Sequence, residues 1–116
     1  MKASDLRIGN YLNGKQGHVI ITEIRTNNSV KILDNTSSFY VGTCLQPIEL
    51  NKNWLSYLGF MTDDIEWWNG LISLGIYKDG LFYCPTESIS YRLIKIEYVH
   101  QLQNLHFVLT GEELSL

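Results

Sequence analysis

The chain has 116 residues, 45% hydrophobic and 18% charged, which is one domain's worth of core and ordinary globular composition. A net charge of −3, with nine scattered basic residues, excludes the basic footprint of a sequence-independent nucleic-acid binder, and no apolar run reaches the ~20 residues of a membrane span. The first residues lack the apolar core of a signal peptide, so the cytosol is the expected compartment, and Cys44 and Cys84, far apart and without CxxC spacing, read as buried thiols.

Taken in order, residues 4–7 predict a short capped turn, and Gly9-Asn10 reverses the chain into a strand at Tyr11-Leu12. Residues 13–17 are a turn. The β-branched run 18–25 and the segment 29–33, joined by Thr26-Asn27-Asn28, predict a hairpin. Strands follow at 39–41 and 44–50, with Pro47 marking an edge or an end. Residues 1–50 thus read as a small curled sheet of the SH3-like kind. Over 51–59, Asn51 is a good N-cap, Trp54, Leu55 and Leu58 share one face of a two-turn helix, and Gly59 ends it.

Residues 60–97 predict a β-meander. Thr62-Asp63-Asp64 is a turn, and strands at 65–68 and 71–77 flank Asn69-Gly70, the signature of a type I′ hairpin. Lys78-Asp79-Gly80 repeats the device before 81–84, and 89–96 alternates apolar and other residues. The helix at 98–110 carries Tyr98, Leu102, Leu105 and Leu109 at i, i+4, i+7 and i+11, widened by Val99, Phe107 and Val108, and Thr110-Gly111 closes it. The expected architecture is α+β, a single compact domain over 1–116, because each half is too small to be secure alone.

Catalytic and metal signatures are missing from this pattern. His100 and His106 lie six apart, about 120° around a helix, and cannot pinch one metal as an i, i+4 pair does. Asp63, Asp64 and Glu66 lack the spacing of a calcium loop, and no Walker, GxGxxG or GxSxG motif is present. No metal or cofactor is expected, and the chain reads as non-enzymatic.

Two surfaces stand out instead. On the last helix, His100, Gln103 and Asn104, with Glu97 and Gln101, are mostly uncharged hydrogen-bonding groups that either bond to strand ends or read a ligand. Trp67 and Trp68 are adjacent on a strand, so they point to opposite faces and one of them is a candidate contact. With Tyr11, Tyr40 and Tyr91 as stacking groups and Arg7, Arg25 or Arg92 as anion clamps, a pocket for a base or nucleotide can be assembled.

At Leu6-Arg7-Ile8-Gly9-Asn10-Tyr11, at Trp54-Leu55-Ser56-Tyr57-Leu58-Gly59-Phe60, and at Tyr98-Val99-His100-Gln101-Leu102-Gln103-Asn104-Leu105 through Leu109-Thr110-Gly111-Glu112-Glu113-Leu114, the chain resembles a family of small proteins of gut bacteria and their phages. The resemblance implies a short cytosolic accessory protein of a phage or mobile element, with no activity to transfer. In that setting two binding roles are expected, the first named being the leading one. One is a sponge that sequesters a nucleotide-type host immune signal, its pocket closed by a homo-oligomer. The other is an adaptor or inhibitor that binds a host protein through an exposed aromatic patch. Neither involves nucleic acid or a membrane.

Overall fold

The computed structural model describes residues 1–83 and 94–116. Cys84, Tyr91, Arg92 and most of the expected strand at 89–96 lie outside the described residues. The fold is α+β: two antiparallel sheets and a C-terminal helix. The chain forms two compact units, Met1–Glu49 with Tyr98–Leu105, and Leu50–Glu97 with His106–Leu116.

In the first unit, a 3-10 turn at Ala3–Asp5 is closed by the Lys2 N–H donating to Asp5 Oδ2 at 2.9 Å. The meander β1 (Tyr11–Gly14), β2 (Gly17–Ile24), β3 (Ser29–Ile32) and β4 (Ser38–Tyr40) follows. Asn28 takes φ 61° in the β2–β3 turn, a left-handed conformation that asparagine tolerates. Alternation sorts the faces: Leu12, Ile21, Val30, Val41 and Leu45 bury with Ala3 and Leu6, and Val19, Ile32 and Phe39 pack against them. The 44–50 segment contributes isolated bridges, Asn13 to Gln46 and Glu49 to Tyr98, rather than a full strand. Cys44 is exposed, which corrects the expected buried thiol. The reason is local. Its N–H donates to Tyr40 O at 3.0 Å in a tight turn, so residues 42–44 crown the turn while Val41 and Leu45 enter the core.

The second unit opens with α1 (Lys52–Tyr57), capped by Asn51 Oδ1 accepting from the Trp54 N–H at 2.9 Å. It ends as the sequence predicts. Gly59, at φ 91°, donates to Ser56 O, and the Phe60 N–H donates to Leu55 O, the paired bonds of a Schellman motif. Leu55, Leu58 and Phe60 are buried. The meander then runs β5 (Met61–Thr62), β6 (Glu66–Trp68), β7 (Ser73–Tyr77), β8 (Gly80–Tyr83) and β9 (Ile94–Ile96).

The Asn-Gly hairpin differs in kind from the expected one. Strands β6 and β7 are joined by four residues, 69–72, and of the Asn-Gly pair only Gly70 has positive φ, at 89°. Asn69 Oδ1 accepts from the Leu71 and Ile72 N–H groups at 3.0 Å each. Its side chain therefore supplies turn bonds that a type I′ turn would take from the backbone.

Helix α2 (Val99–Thr110) contributes residues to both units and ends at Gly111, φ 74°, whose N–H donates to Phe107 O. Its buried side keeps only Val99 and Leu102 of the expected apolar stripe. Val99, His100, Leu102, Gln103 and His106 are buried, whereas Val108 and Leu109 are 76% and 43% exposed. Gln103 and His106 occupy the inside because backbone groups of neighbouring segments take them as partners.

Candidate functional site

In the first unit, the amide side chains of α2 are consumed by the chain itself. Gln103, 1% exposed, accepts from the Tyr11 N–H at 2.9 Å and donates through Nε2 to Gly9 O at 3.0 Å. Asn104 accepts from Asn10 Nδ2 at 2.9 Å and donates to Asp5 O at 3.1 Å, while Asn10 Oδ1 accepts from the Arg7 N–H at 2.7 Å. The Leu6–Tyr11 stretch and the start of α2, two of the three stretches that carry the resemblance, are thus one hydrogen-bonded joint. The third, at 54–60, is the Schellman turn of α1. A buried, satisfied amide network stabilises and specifies a fold.

Of the other residues expected to build a nucleotide pocket, Tyr11 is buried, its ring edge-on to His18 at 5.7 Å. Arg7 is half-buried, and Arg25 is exposed with a 3.5 Å ion pair to Glu23. Tyr40 is exposed. His100 is 4% exposed and stacks on Tyr98 with centroids 5.9 Å apart and planes 10° apart. Its buried Nδ1 has no hydrogen-bond partner among the described residues. Burial holds the imidazole neutral and lowers its pKa, an effect opposed by the Asp5 carboxylate and reinforced by the N-terminal amine.

In the second unit, His106 is also structural: Asn69 Nδ2 lies 2.9 Å from its Nε2, and its Nδ1 lies 2.9 Å from Glu112 O. The acidic turn is explained by its own backbone. Asp63 Oδ1 accepts from the Glu66 and Ile65 N–H groups at 2.9 and 3.0 Å, and these bonds hold its carboxyl below the ordinary range. Among the described residues no group of three His, Cys, Asp or Glu is placed to hold a metal ion, and no helix is long and apolar enough to cross a membrane.

The tryptophan pair divides as strand geometry requires. Trp67, opposite Leu74, is buried; Trp68 is half-buried on the other face. The register puts Met61, Glu66, Ser73, Gly75, Tyr77, Phe82 and Lys95 on that same outer face. Met61 stands directly across from Trp68 and is 64% exposed. Tyr77 and Phe82 meet edge to face at 5.4 Å and 89°. Sequence reasoning singled out the Trp67–Trp68 pair without choosing between them. The signal for the neighbours of Trp68 was the alternation of β7 and β8, where Tyr77 and Phe82 have the parity of the Trp68 face.

No protein-family model, no curated protein and no solved structure matches this chain. What the chain does must therefore be argued from these surfaces.

Proposed function

We propose that the chain is a non-enzymatic, protein-binding module whose contact surface is the outer face of the second sheet. The observation that carries this reading is the grouping of Trp68, Met61, Tyr77 and Phe82 on one sheet face, with Trp68 only half-buried and Met61 exposed. Large aromatic and methionine side chains are the residue types that dominate protein interfaces. In the setting the resemblance implies, a cytoplasmic accessory protein of a phage or mobile element, the binding partner is a protein the module adapts or inhibits. The first sheet, read as an SH3-like barrel, serves as scaffold.

Sequestration of a nucleotide draws less support. Tyr11 and Trp67, two of its stacking groups, are buried, and the amides of Gln103 and Asn104 are committed to internal bonds.

The test is a photo-crosslinking amino acid placed at Met61, with Leu33 of the first unit, also exposed, as control. The expected result is a protein adduct at Met61 that disappears in the Trp68→Ala background, with none at Leu33. Absence of any adduct at Met61 would sink the proposal.

A further inference from the structure

We propose that His106 is an acid-sensitive latch on the loop between β6 and β7: its neutral ring holds the loop closed, and protonation of the ring lets the loop go. The hydrogen bonds around the ring fix its state. Asn69 Oδ1 already accepts from the Leu71 and Ile72 N–H groups, so the amide nitrogen is the atom that faces the ring, 2.9 Å from Nε2. An amide nitrogen only donates, and Nε2 must therefore present a lone pair. At the other edge of the ring, Nδ1 lies 2.9 Å from Glu112 O, a carbonyl that only accepts. The Thr110 hydroxyl, 3.3 Å from the same nitrogen, gives its one hydrogen to His106 O at 2.7 Å, so toward the ring it too can only accept. Asn69, Glu112 and Thr110 thus select a single species, the neutral ring with its hydrogen on Nδ1.

A second proton has only Nε2 to go to, where it confronts the hydrogens of the Asn69 amide. Asn69 has two responses, and both open the loop. Turning the side chain away withdraws Oδ1 from Leu71 and Ile72. Flipping the amide lets Oδ1 accept from Nε2–H, but it sets Nδ2 against the same two N–H donors. Ile72 is buried, so its N–H has no ready access to water once Oδ1 is gone. The loop itself, Asn69 to Ile72, has no titratable side chain, and it closes the end of the ladder where Trp68 pairs with Ser73. Ionisable groups on the surrounding segments are placed elsewhere. Glu112 and Glu113 of the tail are exposed, and Glu66 and Lys95 have the parity of the outer face. Asp63 is held below the ordinary carboxylate range by its own turn, and His100 on α2 belongs to the first unit. Any opening of the loop in step with an imidazole titration therefore reports His106.

Two NMR measurements on the full chain test the latch. Long-range proton–nitrogen spectra of the His106 ring are expected to show a hydrogen on Nδ1 and a bare Nε2 at neutral pH. As the ring titrates on acidification, protection of the Leu71 and Ile72 amides against hydrogen exchange is expected to fall about tenfold or more. The Phe60 amide, bonded to Leu55 O at the end of α1 in the same unit, should keep its protection. His106→Gln supplies a carbonyl oxygen in place of Nε2 and does not titrate, so in that variant the fall should vanish. Asn69→Asp offers one carboxylate oxygen to Leu71 and Ile72 and the other to a protonated Nε2, so acid should leave its loop closed for as long as the carboxylate is charged. Should either variant fail to fold, the wild-type spectra decide. A ring with its hydrogen on Nε2 would overturn the proposal, as would a ring that stays neutral until Phe60 also loses protection. Loop amides that ignore the ring's titration, or that lose protection equally in His106→Gln, would overturn it too.

Discussion

At the scale of single residues, His100 shows how far a side chain's chemistry depends on where it is buried. An exposed histidine has an ordinary pKa of 6.5, whereas here burial opposes protonation, with Asp5 pulling the other way and the N-terminal amine adding to the effect of burial. The unfolded chain therefore takes up a proton at higher pH than the folded one. The sign follows: stability is full above the ordinary value and is lost as the pH falls through the lowered folded value. In urea unfolding between about pH 7 and about pH 5, His100→Phe is expected to flatten the fall in midpoint that the wild type displays. An unchanged slope would mean that other groups carry the dependence. The ring's position on the buried side of α2 was not legible from spacing, which set it on the polar side.

At the scale of elements, α2 is the instructive case. Its leucine spacing predicts a seam running through Leu102, Leu105 and Leu109, yet the buried side runs through Val99, Leu102, Gln103 and His106. Hydrophobic periodicity counts apolar groups and is blind to amides that bury with their hydrogen bonds made. Gln103→Leu keeps the volume but strands the Tyr11 N–H and the Gly9 carbonyl, at a cost of about 2–3 kcal/mol. Leu109→Ala, at a position 43% exposed, should cost less than about 1 kcal/mol. Chemical denaturation of the two variants checks the order; a larger loss at Leu109 would restore the leucine seam. The hairpin between β6 and β7 teaches the complementary point. Its loop has four residues where Asn-Gly predicted two, but a shift by an even number leaves every side chain on its expected face. Trp67 and Trp68 could thus be assigned to opposite faces before the register was known.

At the scale of the whole molecule, the residues expected to build a nucleotide pocket are spread over the two units, and within them Tyr11 and Trp67 are buried and the Gln103 and Asn104 amides are bonded internally. Arg7, Tyr11, Arg25, His100, Gln103 and Asn104 belong to the first, and Trp67 and Trp68 to the second. A ligand at a hundred times its dissociation constant would add about 2.7 kcal/mol to the native state, a shift of several degrees in Tm for a chain of this size. A panel of linear and cyclic nucleotides is expected to leave the melt unmoved. A saturable shift would reverse the order of the two binding readings and return sequestration to first place.

The sequence by itself determined the features that depend on near neighbours: the α+β class, the positions of the hairpins, the Asn51 cap and the Gly59 and Gly111 ends of the helices, and the opposition of the two tryptophans. Each follows from backbone sterics, local hydrogen bonding or strand alternation within a few residues. Only the tertiary structure decided which side of α2 turns inward, that Cys44 crowns a turn instead of entering the core, and that Asn69 meets His106. The amides of α2 find their partners more than ninety residues away, at Gly9, Asn10 and Tyr11. Partners that distant are brought together by folding, and no local pattern encodes them.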